Sequence, residues 1–213
     1  MKYRHWFFDL DGTLARTGED IVVAWKGALT ALGRDLSNFD KVFKIGPTLE
    51  KVVYELYDDA TPELVADLME RFKPLYDESG FPNTEPYPGV PELLAGIRAA
   101  GGKSYIVTNK RHNATQLIAK KFGWDRLMDG VWSYDSFETK YKKPELLAKL
   151  LADLKVDASE AVMVGDTKGD VDAGTANGIA TIGVVYGYGT AEEVGSADHV
   201  FSSASDIAKN LLK

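Results

Sequence analysis

Beyond Pro88 the chain repeats one pattern: a short apolar run, a polar turn, then a segment of helical period. Tyr105-Ile106-Val107 ends at Thr108-Asn109, Val131-Trp132 is a shorter run, and Ala161-Val162-Met163-Val164 ends at Gly165-Asp166; Thr181–Val185 and His199–Phe201 follow. Helical segments fall between them at Val90–Ala100, up to Phe122-Gly123, at Pro144–Leu154, up to Asn177-Gly178 and near Ser205–Leu212. Strands that alternate with helices in this way return by right-handed crossovers, so the pattern predicts an α/β fold with a doubly wound, mainly parallel sheet.

The first strand, Trp6-Phe7-Phe8, stands apart from the rest and stops at Asp9-Leu10-Asp11-Gly12. From Glu19 to about Phe81 the pattern is helical instead. Val22, Trp25, Leu29 and Leu32 recur at three- and four-residue steps, with Gly33 as a stop, and Leu49, Val52, Val53 and Leu56 repeat that period. Thr61-Pro62 reads as a cap followed by proline at the first helical position; Leu64, Val65, Leu68, Met69, Phe72 and Leu75 mark an apolar face beyond it. We therefore expect an all-helical unit over residues 16–85, inserted into an α/β core formed by residues 1–15 and 86–213.

Composition narrows the chemistry. The 213 residues include no cysteine, which removes disulfides, thiolate nucleophiles and cysteine metal sites. Catalysis or metal binding then falls to carboxylates, hydroxyls, amines or three histidines. The net charge of −7 argues against nucleic acid or an anionic membrane as partner. The first apolar run breaks at Asp9, and no apolar stretch approaches the roughly 18 residues of a membrane span. A cytoplasmic location is expected.

Ligands of open α/β sheets bind beyond the carboxyl ends of the strands. The residues there are Asp9 and Asp11, Thr108 and Asn109, then Asp166 with Asp170, while Lys143 opens a helix within reach. Clustered carboxylates repel unless they hold a cation or share protons, and an all-oxygen donor set favours a hard ion such as magnesium. A cation, a lysine and a hydroxyl suit a phosphoryl group, with Asp9 placed as nucleophile and Asp11 as acid and then base. Taken singly, each piece has a plainer reading. Asp-x-Asp-Gly is common turn chemistry, Gly165-Asp166 a helix cap, and Lys140, Lys142 and Lys143 a solvated run. It is their order at successive strand ends that lifts them. Gly96 to Ser104 departs from a phosphate-binding P-loop in register and context, and Gly187-Tyr188-Gly189 is only a fragment of a dinucleotide fingerprint. His5, His112 and His199 show no metal-ligand or triad spacing; Asp172 reads as a helix-surface acid.

These residues resemble the haloacid dehalogenase-like hydrolases. Asp9-Leu10-Asp11-Gly12-Thr13-Leu14 is similar to the first motif of that superfamily and Val107-Thr108-Asn109-Lys110 to the second; Lys143-Pro144 is similar to the third and Gly165-Asp166-Thr167-Lys168-Gly169-Asp170 to the fourth. Tyr87-Pro88-Gly89-Val90 and Tyr186-Gly187-Tyr188-Gly189 resemble the phosphoglycolate phosphatase branch. The resemblance implies a magnesium-dependent phosphatase acting on a small phosphorylated metabolite through an aspartyl-phosphate. Asp9 would be the nucleophile and Asp11 the acid and base; Asp9, Asp11 (by its carbonyl) and Asp166 would hold Mg2+. Thr108, Asn109 and Lys143 would bind phosphate, with Lys142 adjoining, and Asp170 would support. The helical insertion would be a mobile cap, with Lys44-Ile45-Gly46-Pro47 resembling a cap segment. Arg16, Lys26, Arg34, Lys41, Lys44 and Lys51 are candidate contacts for a second anionic group. Asp11 favours phosphoester over carbon–halogen chemistry. A phosphosugar mutase, a nucleotidase, a pyrophosphatase and a catalytically silent binding module are the alternatives.

Overall fold

Each apolar run of the sequence that ends at a turn residue forms a strand, and six of them assemble edge to edge. The computed structural model describes residues 1–46 and 49–212, Leu49 by its backbone alone. In chain order the elements are β1 (His5–Phe8), β2 (Ala15–Arg16), α1 (Gly18–Ala31), α2 (Phe39–Val42), α3 (Leu49–Leu56), α4 (Pro62–Asp77), β3 (Glu85–Pro86), α5 (Val90–Ala99), β4 (Lys103–Thr108) and α6 (His112–Lys121). Then come α7 (Trp124–Leu127), β5 (Gly130–Ser133), α8 (Lys143–Asp153), β6 (Ala161–Gly165), α9 (Lys168–Ala176), β7 (Ala180–Val184), α10 (Ala191–Val194), β8 (His199–Phe201) and α11 (Ala204–Leu211).

The main sheet runs β5-β4-β1-β6-β7-β8, with every described pair parallel. Its four central strands, β4, β1, β6 and β7, are buried on both faces, as parallel strands are, and the edge strands β5 and β8 are less so. Phe7, Tyr105, Val107 and Met163 point to the face covered by Leu146, Leu147 and Leu150 of α8 and Ala173 of α9. Trp6, Phe8, Ile106, Val162 and Val164, one residue out of phase, are equally buried. The chain leaves β1 toward β4 on one side and β6 on the other, which makes β1 the point where strand order reverses.

The chain divides into two compact units, Met1–Arg16 with Glu85–Lys213, and Thr17–Thr84. Among the described residues the second unit holds α1 to α4 and no strand. Its core gathers Trp25 with Phe39, Phe43 and Phe72, at ring separations of 6.3, 5.3 and 6.0 Å, over Leu29, Val53 and Leu68. The buried stripe of α4 is Leu68, Phe72 and Tyr76, and Leu75, expected on the apolar face, stands 46% exposed. A four-residue step through Leu68 carries the stripe to Tyr76, whose ring stacks on Phe72 at 5.3 Å. Pro47 of the Lys44–Pro47 segment lies outside the described residues. No described helix is long and apolar enough to cross a membrane.

Candidate active site

β1 delivers Asp9 to the carboxyl edge of the sheet, where its amide continues the ladder by donating to Val164 O at 3.0 Å. The chain then folds back at once: Leu14 N and Ala15 N both donate to Leu10 O at 3.0 Å, and Gly12 N donates to Ala15 O. Gly12 has φ +82°, and a Cβ there would lie 2.1 Å from Asp166 Oδ2, so only glycine fits. This loop brings Asp11 and Thr13 beside the ends of the neighbouring strands.

β6 ends one residue before Asp166, whose carboxylate accepts three hydrogen bonds. Oδ1 accepts from Thr13 Oγ1 at 3.1 Å, and Oδ2 accepts from Tyr188 N at 2.7 Å and Gly189 N at 3.2 Å. Asp170, in the first turn of α9, accepts from Thr167 N and Thr167 Oγ1 at 3.1 and 2.7 Å and from Lys143 Nζ at 2.5 Å. Lys143, the first residue of α8, is buried. Its Nζ also lies 2.9 Å from Asp9 Oδ1, an ion pair off the angle of a hydrogen bond, so that oxygen remains a buried acceptor with no donor. Lys142 is exposed, and its amide instead donates to Glu145 Oε2 at 3.0 Å, closing the first turn of α8. Thr108 is buried at the end of β4 and Asn109 is exposed just beyond it. Asp172 pairs with Lys168 on the surface of α9.

Burial pushes the Asp9 carboxyl up to about 7; Lys143 opposes this, while Asp170, Asp166 and Asp11 add to it. Burial, with Asp170, raises Asp166 to about 6 against its three hydrogen-bond donors. Burial works against the Lys143 ammonium as well, yet Asp170 and Asp9 outweigh it and hold its pKa above the ordinary lysine value.

Asp9, Asp166 and Asp170 each place a carboxylate oxygen within 4.8 Å of the others. Four carboxylates, counting Asp11, meet two lysines here, Lys143 and Lys110. The uncovered charge matches one divalent cation. With an all-oxygen donor set, a buried acceptor lacking a donor and two raised carboxyls, the residues fit a hard metal ion. The carboxylate of Asp11 lies outside that trio. Asp170 lies within it, but its oxygens are already committed to Lys143 and Thr167.

Three contributors make contacts that their motifs alone do not assign. Lys110 Nζ binds both Asp11 oxygens. Thr13, read only as part of a motif, donates to Asp166. Gly187-Tyr188-Gly189, a weak dinucleotide fragment in sequence and part of the branch resemblance, packs against Asp166: a Cβ on Gly187 would lie 2.3 Å from Gly12 O, and one on Gly189 1.8 Å from Asp166 O. The signal was present, since two glycines frame one residue just past β7, whose neighbour β6 carries Asp166. Of the histidines, His5 and His199 lie in β1 and β8. His112 opens α6, and its ring nitrogen meets Ser136 Oγ at 2.9 Å.

The haloacid dehalogenase-like hydrolase family model matches residues 6–184. A phosphoglycolate phosphatase of Vibrio parahaemolyticus is 33% identical over 94% of this chain and 92% of its own. A 5'-nucleotidase of Pseudomonas aeruginosa is 32% identical over 91% and 88%. The crystal structure of a predicted phosphoglycolate phosphatase from Haemophilus somnus superposes with a TM-score of 0.86, at 25% identity and 98% coverage of both chains. A family match across most of the chain, on the same sheet and strand ends, makes this protein a member of the haloacid dehalogenase-like hydrolases.

Proposed function

We propose that the chain is a magnesium-dependent phosphatase of small phosphomonoesters that works through an aspartyl-phosphate. The observation that carries this reading is the convergence of Asp9, Asp11, Asp166, Asp170 and Lys143 at the ends of β1 and β6, with Thr108 at the end of β4.

In the first half-reaction an Asp9 oxygen attacks phosphorus and the bond to the leaving oxygen breaks. Asp11 supplies the proton that oxygen takes up. In the second half, Asp11 takes a proton from water as the water oxygen attacks phosphorus, and the Asp9 carboxylate leaves. Lys143 holds the nucleophile and meets the phosphoryl oxygens with Thr108 and Asn109. Asp170 anchors Lys143 through their ion pair. Asp9, Asp166 and the carbonyl of Asp11 would hold magnesium, which would supply positive charge to balance the carboxylates and the phosphoryl oxygens. Thr17–Thr84 acts as the cap that excludes water during turnover.

Asp9→Asn should abolish hydrolysis of an aryl phosphate while leaving the melting transition cooperative; substantial residual turnover would rule out the nucleophile assignment. The two relatives divide the substrate question between a phosphorylated hydroxy acid and a nucleoside monophosphate. Phosphate release over a panel of glycolate, sugar and nucleotide phosphates decides it. An isomerised phosphosugar with no free phosphate would instead mark a mutase.

A further inference from the structure

Lys110 is the second cation of the site, and neither phosphate binding nor metal ligation accounts for it. Its Nζ donates to both carboxylate oxygens of Asp11, at 2.9 and 3.1 Å, and the two side chains keep only 6% and 18% of their exposure. The lysine is fixed at its base, because its amide donates to Thr108 Oγ1 at 3.2 Å at the end of β4. β4 lies directly beside β1 in the sheet. A carboxylate on the loop after one strand is thereby tied to the end of the next.

The geometry points to Lys110 as the positioning residue of Asp11. By bridging both carboxyl oxygens it fixes the plane and rotamer of the Asp11 carboxyl, and so sets the direction from which that carboxyl meets the leaving-group oxygen. This rests on the reading above, in which Asp11 handles the proton. The proton that reaches the leaving oxygen comes from Asp11 as the phosphorus–oxygen bond breaks and the Asp9–phosphorus bond forms. Lys110 gives up no proton and stays on the Asp11 carboxyl throughout. Preorganisation of this kind matters because misplacing a reacting group by about 1 Å can cost on the order of 100-fold. Lys143 differs in kind, since it pairs with the nucleophile and with Asp170.

A positioning role for a proton donor shows in how the rate depends on the leaving group. The test compares kcat/KM for substituted phenyl phosphates, from dinitrophenyl to unsubstituted phenyl, with magnesium present. The poorest leaving groups need the proton most. Lys110→Met should lose about tenfold or more on phenyl phosphate and less than about threefold on the dinitrophenyl ester, which steepens the series. Lys110→Arg, which keeps a cation with several donors, should give an intermediate slope and carries the test if the methionine variant does not fold. An equal loss at every substrate marks a structural or phosphate-binding role and overturns the proposal; so do slopes equal to that of the unmodified enzyme. Asp11→Asn runs alongside as the benchmark. If it leaves the slope unchanged, the proton role of Asp11 fails and the proposal falls with it; if it steepens the slope while both Lys110 variants do not, the role of Lys110 alone fails.

Discussion

Gly12, Gly187 and Gly189 together leave the carboxylate of Asp166 room to sit where it does, and each is required for a different reason. Gly12 needs its left-handed backbone, whereas Gly187 and Gly189 need the absence of a side chain against Gly12 O and Asp166 O. Gly189→Ala should therefore displace the amide that donates to Asp166. Partners that orient a metal ligand are typically worth about 10–100-fold in metal affinity, so the magnesium concentration for half-maximal activity should rise by that order. Gly178 is the control: it has φ +65° with open space around it, and alanine there should cost about 1–2 kcal/mol of stability and leave the magnesium response alone. Equal responses in the two variants would show that Gly189 serves only the fold. At this scale the sequence is legible where a residue type has few other uses. Asp9, Asp11 and Asp166 announce themselves as acids after apolar runs. Lys110, by contrast, reads only as the last residue of the Val107–Lys110 motif, and its role is not legible because its partner lies 99 positions away.

Asp20 shows what an element needs at its boundary. It lies in the first turn of α1, is buried, and gathers the chain at the far end of its unit: Asn83 N and Nδ2 and Thr84 Oγ1 all donate to it, the last at 2.6 Å. Removing the acceptor leaves the buried Thr84 hydroxyl unpaired and frees the Asn83 donors, which lie at the surface. Asp20→Ala should thus cost about 2–3 kcal/mol in chemical denaturation, and Asp20→Asn less, because one acceptor oxygen remains. A loss below about 0.5 kcal/mol for alanine would mean that water replaces the carboxylate. Thr61 caps α4 as its Thr-Pro signature predicts, with its hydroxyl accepting from Leu64 N at 3.2 Å. Elements of sustained period are legible in this way, and all of the long ones lie where the pattern puts them. The ribbon of β2 and β3 is not. It pairs Ala15 with Pro86 and Arg16 with Glu85, too short for any alternation to register. The short helices α2, α7 and α10 likewise span a single turn, less than a 3.6-residue period needs to show itself.

Across the whole molecule the acid excess has a local meaning. The net charge of −7 is spread over the chain, but the carboxylates that matter are those drawn together at the strand ends, where two lysines offset part of their charge and a bound divalent cation would cancel the rest. Without the cation this grouping weakens the fold. The folded-state values of Asp9 and Asp166, about 7 and about 6, lie above the ordinary 3.8, so the folded protein retains protons that the unfolded chain has released. Their contribution to stability is complete below about 4 and is lost as the pH rises through about 6 to 7. In chelator, the melting temperature should therefore fall across that window through these two groups. Magnesium should restore it, most strongly above about pH 7, where the ligands are ionised; at 100 times its dissociation constant a ligand adds about 2.7 kcal/mol. Asp9→Asn isolates the effect from the other acids of the chain. Above pH 7 and without metal it should melt higher than the unmodified protein, because one buried charge is gone. Relief of about 1 kcal/mol raises the melting temperature by about 2–4 °C in a chain of this size. The same variant should respond less to magnesium. Scanning calorimetry on both proteins, with chelator and with magnesium, reads all four conditions. An Asp9→Asn variant that melts lower than its parent in chelator would show that Lys143 already neutralises the cluster, leaving no charge for a cation to balance.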